Sequence, residues 1–254
     1  SGLPRSAAVC SAIARLGNLH LLQWALQNGC PWNVWVLSGA ATAGHLEVLR
    51  WAVDNGCHWN SMVCAAAAKG GHLEVVQWAR ARGCAWDGLA CRWAAEGGHL
   101  HVLQWIRANG CEWSSDTCSA AAAGGYLEVV QWCRAHGCPW DAETCSNAAR
   151  WGHLRLLQWC RDNDCPWNWR VCSEAAFGGH LEIIQFARAN GCPWNSSTCS
   201  RAVEGGNFSI LRFAHESGCD WNVSTCNQAA FRGDLDTLRW ARARGCRWND
   251  VTCR

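Results

Sequence analysis

The chain has 254 residues, half of them hydrophobic, which is enough for a continuous core and excludes a disordered polymer. Lys and Arg number 22 against 20 Asp and Glu, so the +2 chain lacks the broad positive field that drives phosphate-backbone binding. No apolar run approaches the roughly 20 residues of a membrane span. Neither nucleic acid nor membrane is therefore expected as a partner. Twenty Cys and 20 Trp stand against one Met and one Tyr, and Lys69 is the single Lys.

In chain order, a first helix is expected over about residues 5–16, containing Cys10. Nine 27-residue units follow over about 7–249, with a partial tenth over 249–254. Two series mark the units. Trp24, Trp51, Trp78, Trp105, Trp132, Trp159, Phe186, Phe213 and Trp240 keep one step; Cys30, Cys57, Cys84, Cys111, Cys138, Cys165, Cys192, Cys219 and Cys246 keep the same step. Each of these Cys is followed two positions later by a Trp, from Trp32 to Trp248. A period without insertions means one structural unit stacked on copies of itself.

After each Cys-x-Trp loop stands a side chain able to accept from the orphan amides of a helix start: Asn33, Asn60, Asp87, Ser114, Asp141, Asn168, Asn195, Asn222 and Asn249. A first helix of about nine residues is predicted there. Glycines such as Gly71 and Gly152 close it, and a second helix follows, as in the run from Leu73 to Arg80. Acidic residues in its first turn (Glu47, Glu74, Glu128) and Arg towards its end (Arg80, Arg107, Arg134, Arg161, Arg188) suit the helix dipole. Gly before the loop Cys provides a left-handed cap, with Asp164 the one departure.

The run Thr117-Cys118-Ser119-Ala120-Ala121-Ala122, followed by Gly125-Tyr126-Leu127-Glu128-Val129-Val130 and Gly137-Cys138, resembles an ankyrin repeat. The family's Thr-Pro-Leu-His turn is absent, and the unit is shorter than the usual repeat of about 33 residues. The missing residues fall where an ankyrin repeat builds its β-hairpin finger. The resemblance implies an all-α, ankyrin-like α-solenoid of stacked helix-turn-helix repeats forming a single array over 1–254, with little or no strand. Neither end resembles a polar capping repeat, so the array is expected either to be cut from a longer protein or to cap itself with its terminal helices.

Eighteen Cys occupy two repeat positions: the loop sites, and the first-helix sites Cys10, Cys64, Cys91, Cys118, Cys145, Cys172, Cys199, Cys226 and Cys253. Cys133 and Cys160 are the other two. Loop and following helix sites form C-x6-C pairs, from Cys57/Cys64 to Cys246/Cys253, open to three readings: buried thiols, disulfides or zinc ligands. In the ankyrin resemblance the two sites correspond to a buried Ala and a buried Leu. Leu37 replaces the partner of Cys30, which packing tolerates and an obligatory bridge does not, so shielded, reduced thiols are expected. His45, His72, His99, His153 and His180 recur at second-helix starts, but Asn18, Tyr126, Asn207 and Asp234 break the series. They are expected to serve the helix start and inter-repeat contacts; no metal site and no cofactor is expected. No singular grouping of nucleophile, base and orienting residue stands out, so an enzyme is not expected.

Function is then expected where the repeat leaves positions free. Relative to each first-helix Cys site, positions −2, +2 and +5 vary, and their spacing puts them on one helix face. Sixteen of the 20 Trp belong to the two series and are expected in core or inter-repeat packing; Trp35, Trp93, Trp151 and Trp169 lie on or beside the variable face. The partner-binding residues predicted on this basis are Trp35, Leu89, Trp93, Glu96, Asp116, Asn147, Arg150, Trp151, Trp169, Arg170, Glu174, Phe177, Arg201, Glu204, Gln228 and Phe231. The expected molecule is a monomeric cytoplasmic scaffold, with the nucleus also open, that binds a protein or peptide. The alternative is a thiol-rich array that binds metal or stores redox equivalents through its C-x6-C pairs.

Overall fold

The structure, a computed structural model, describes residues 7–31 and 33–249. Trp32, Cys253, the expected helix start at 5–6 and residues 250–254 of the partial tenth unit lie outside the described residues. The chain divides into two compact units, Ser1–Pro139 and Trp140–Arg254. Among the described residues every element is a helix, and each unit is a stack of helix pairs.

In the first unit the pairs are α1 (Ala7–Arg15) and α2 (Leu19–Gln27), α3 (Val34–Thr42) and α4 (Leu46–Asp54), α5 (Ser61–Gly70) and α6 (Leu73–Ala81), α7 (Gly88–Glu96) and α8 (Leu100–Ala108), and α9 (Ser115–Ala123) and α10 (Leu127–Ala135). In the second they are α11 (Ala142–Arg150) and α12 (Leu154–Asp162), α13 (Arg170–Gly178) and α14 (Leu181–Ala189), α15 (Ser196–Glu204) and α16 (Phe208–Glu216), and α17 (Val223–Phe231) and α18 (Leu235–Ala243).

First helices start where the cap residues predict. Asn33 accepts from the Trp35 amide at 3.0 Å and Asp141 from the Glu143 amide at 2.9 Å. Asn168 accepts from the Arg170 amide at 2.9 Å, so it acts as the cap although the backbone of Trp169 is already helical. After each second helix the chain turns through a left-handed residue, and Asp164 takes that conformation where the other repeats use Gly.

Within each unit, first helices stack side by side, α1 on α3, α3 on α5 and α11 on α13 among them. Small side chains make the close approach possible: Cys64, Ala65, Ala66, Ala67 and Ala68 of α5 are all buried. Second helices add Val, Leu and Ile, as with the fully buried Leu103, Ile106, Ile183 and Ile184. Stability in such a stack comes from faces that a single pair cannot bury alone.

Of the two placements expected for the Trp series, core or inter-repeat packing, the core does not hold: among the described residues no Trp is in the buried core. The loop indoles instead meet the second-helix indoles edge to face at the rim, Trp59 on Trp78 at 5.3 Å and Trp140 on Trp159 at 5.8 Å between centroids. An indole is too large for the gap between first helices packed on Ala and Cys. The late Arg of the second helix completes this rim. Arg80 donates to the Cys84 carbonyl at 2.7 Å while its guanidinium lies 4.1 Å from the Trp86 ring centroid; Arg161 does the same with Cys165 at 3.0 Å and Trp167 at 4.1 Å. The dipole explains only part of why Arg recurs there.

The recurring His serves the neighbouring repeat and not its own helix. No side-chain cap bond comes from His45, His72, His99 or His180. His45 Nε2 bonds the Arg15 carbonyl at 2.9 Å, His72 Nε2 the Thr42 carbonyl at 3.1 Å and His180 Nε2 the Arg150 carbonyl at 3.2 Å, each across one repeat boundary. Asn207 achieves the same with its amide, donating to the Ala176 and Phe177 carbonyls at 2.9 Å. This latch explains why Asn can replace His.

His99 is held below its ordinary value of 6.5, first by burial and then by the charges of His101 and His72, against the bond to the Lys69 carbonyl. Its protonated form is thus disfavoured in the folded chain, and the unfolded state binds more protons between the folded pKa and 6.5. The latch's contribution is complete above about pH 6.5 and is lost as pH falls through the folded value. A nuclear magnetic resonance titration of the His99 ring should give a midpoint below 6.5. His99→Asn should keep the latch and reduce the loss of melting temperature between pH 7 and pH 5. A midpoint at or above 6.5 would contradict this.

Candidate functional site

On the first helices the recurring Cys and Ala are buried, while the variable positions range from exposed to buried, Gly39, Ala66 and Ala120 among the latter. Trp35 is 59% exposed, Trp151 58%, Trp169 38% and Phe231 90%. Asp116 and Arg170 are exposed, whereas Leu89, Glu96, Asn147 and Gln228 are half-buried. Trp93 is half-buried as well, with the Lys69 ammonium 5.6 Å from its ring centroid and Lys69 itself paired to Glu96 at 2.8 Å.

In the second unit the predicted charges pair with one another. The Glu174 carboxylate receives Arg150 at 2.9 Å and Arg201 at 2.8 Å, and Arg201 also reaches Glu204 at 2.9 Å. The Phe177 ring has Arg150 at 4.6 Å and Arg201 at 4.1 Å from its centroid. Arg150, Glu174, Phe177, Arg201 and Glu204, drawn from three successive first helices, are thus one ordered strip with its charges largely neutralised. Next to it, Glu204, Asn227, Gln228, Phe231 and Arg232 line a shallow recess; in the first unit Ala8, Ser11, Ala12, Arg15 and Trp35 line another.

The thiols are arranged differently from the C-x6-C reading. Each described first-helix thiol meets the loop thiol that closes its own helix pair, 20 positions later, as in Cys64 with Cys84, Cys91 with Cys111 and Cys199 with Cys219. Leu37 therefore stands opposite Cys57, not Cys30, and Cys30 has Cys10. The loop thiol in turn donates to the carbonyl of the residue that caps the first helix of the same pair: Cys84 to Asn60 at 3.3 Å, Cys111 to Asp87 at 3.2 Å and Cys219 to Asn195 at 3.2 Å. Weak bonds thus tie the loop that closes a pair to both the middle and the start of that pair's first helix. Bonding to the loop thiol and then burial push Cys64, Cys91, Cys172 and Cys199 up. The same bond lowers Cys84, Cys111 and Cys219, against burial. The described cysteines form no disulfide, and all but Cys30 are buried.

Two repeats carry a third thiol. Cys118, Cys133 and Cys138 have their sulfurs within 4.8 Å of one another, as do Cys145, Cys160 and Cys165. Cys138 is pulled down to about 4 by hydrogen bonds from Cys118 and Cys133, against burial and assisted by Arg107 and Arg134, while Cys133 is pushed up by the same bonds. Spacing along the chain did not reveal these groups. The available signal was that Cys133 and Cys160 sit where second helices elsewhere have Ala79 or Ala187.

No protein-family model matches the sequence. No curated protein matches it either. Among solved structures the chain is similar to the pentatricopeptide repeat protein PPR10 in complex with an 18-nt psaJ RNA element, at 18% identity and a TM-score of 0.47. The match covers 97% of this chain and 44% of that one, so the chain spans less than half of that protein's length. The molecule is an all-helical repeat protein. The exclusion of nucleic acid drawn from the +2 net charge does not stand. Net charge is a sum over the whole chain and does not describe the field of one face. No described helix is long and apolar enough to cross a membrane.

Proposed function

We propose that the chain is a non-catalytic scaffold, a short ankyrin-type variant without the hairpin finger, whose first-helix face binds a protein or peptide. The observation that carries this reading is that Trp35, Trp151, Trp169 and Phe231 stand exposed among positions that differ between repeats, while the Cys and Ala that recur in the first helices are buried. A partner of defined identity needs a surface that changes along its length. Exposed aromatics beside Arg supply the large apolar anchors on which such interfaces depend. The strip centred on Glu174 is already ordered by its ion pairs, so little side-chain freedom remains to be lost on binding.

The test compares wild type with Trp151→Ala, Trp169→Ala and Phe231→Ala, each against a second-helix control, Gln185→Ala. A partner captured from source-cell extract and then purified should bind the aromatic variants more weakly by about thirtyfold where the residue is an anchor, equivalent to about 2 kcal/mol. Melting temperatures should be nearly unchanged. Full binding by the triple variant would remove the site from this face. Binding of a single-stranded RNA in place of any protein, lost in the triple variant, would keep the face and overturn the partner class.

A further inference from the structure

The repeat supplies a reason why a third cysteine at one position joins the other two. Past each second helix, the loop Cys amide bonds back to the carbonyl five residues earlier: Cys138 to Cys133 and Cys165 to Cys160, both at 2.9 Å. That bond brings the loop residue over the last turn of the helix. Arg134 holds the Cys138 carbonyl at 2.5 Å and Arg161 the Cys165 carbonyl at 3.0 Å, so each loop is clamped from both sides. The first-helix thiols Cys118 and Cys145 complete two compact groups, all six thiols buried.

We propose that Cys118/Cys133/Cys138 and Cys145/Cys160/Cys165 are two three-sulfur sites for a soft, trivalent metalloid of the arsenite class. Sulfur is the only donor type in either group, which selects a thiophilic ion over Mg, Ca or Mn. With ion–sulfur bonds of about 2.3 Å, three sulfurs around one pyramidal centre lie about 3.5 Å apart, so groups within 4.8 Å close by side-chain rotations. Structural zinc takes four ligands, and neither group has a fourth Cys, His or carboxylate among the described residues. Charge narrows the choice further. Three thiolates leave a net −1 around a divalent ion and −2 around a monovalent one, while a trivalent centre is neutral, as a buried site requires.

The reaction is a ligand exchange without electron transfer. Arsenous acid, As(OH)3, loses its three hydroxyls as three waters, each taking the proton of the thiol that replaces it or, where Cys138 is already a thiolate, a proton from solvent, as three As–O bonds break and three As–S bonds form. Pairs such as Cys64/Cys84 lack a third sulfur and serve as internal controls.

The experiment titrates the reduced, folded full chain with arsenite and reads stoichiometry by native mass spectrometry and the arsenic neighbours by X-ray absorption. Two arsenic atoms per chain are expected, each with three sulfur and no oxygen neighbours. Cys133→Ala should leave one, and Cys133→Ala with Cys160→Ala should leave none. Both substitutions install the Ala found at this position in other repeats, so circular dichroism and melting of the arsenic-free variants should match wild type. Uptake of no arsenic by the folded wild type would overturn the proposal, as would two arsenic atoms retained by the double variant or a tetrahedral zinc that excludes arsenite.

Discussion

Removing residues 73–99, one whole repeat of the first unit, should leave a shorter chain that folds and melts cooperatively, whereas removing residues 73–92 should unfold the region around the junction. The in-register deletion joins His72 to Leu100, and in the intact chain Leu100 already follows a His that latches the preceding repeat. Tyr126, seated over Gly98, would find Gly71 in the same place. The shorter deletion joins the same His to Trp93, in the middle of α7, so that a first-helix segment follows a turn built to start a second helix. Its Ala face would then point where Val and Leu are required. Stability in a stacked array is a sum of nearest-neighbour terms, so loss of a whole unit removes one interface, while loss of register removes those on both sides. Helicity per residue by circular dichroism should stay constant in the first variant and fall in the second. Equal behaviour would refute the stacked-repeat account.

Gly71→Val should be among the most destabilising single changes in the first unit. Gly71 sits at φ 79°, and its Cβ would lie 2.6 Å from the His99 ring. A β-branched residue in the left-handed region costs about 1–3 kcal/mol. Displacing His99 from the Lys69 carbonyl adds about 1 kcal/mol. The sum, at roughly 2–4 °C per kcal/mol for units of this size, amounts to a fall in melting temperature of roughly 4–16 °C. His99→Ala frees the space without relieving the backbone, so the double variant should lose less than the two single changes added together. Strict additivity in the melting data would show that the ring contact is not the cause.

How much of this was legible in the sequence differs from element to element. The helix pairs were, because caps such as Asn33 and Asp141 and turn residues such as Gly71 act within a few residues of themselves, and a local rule repeated along the chain leaves a period. The outward placement of Trp35 and Phe231 was legible for the same reason: helical spacing alone separates −2 and +5 from the Ala positions. Which thiols meet was not. C-x6-C is the nearest pairing along the chain, yet the second helix turns the chain back so that Cys64 meets Cys84, and only that return makes Cys133 and Cys160 third members of a group. Likewise the Trp series carried no information about burial, since an indole that must fit between helices and one that lies at their rim recur with the same step. The pairing of Arg150, Glu174 and Arg201 was also invisible, because these side chains are 24 and 27 positions apart and come together only when one first helix is laid against the next. Sequence determined the unit and its faces; contacts between units, which depend on distances that no single repeat encodes, were decided by the stacking.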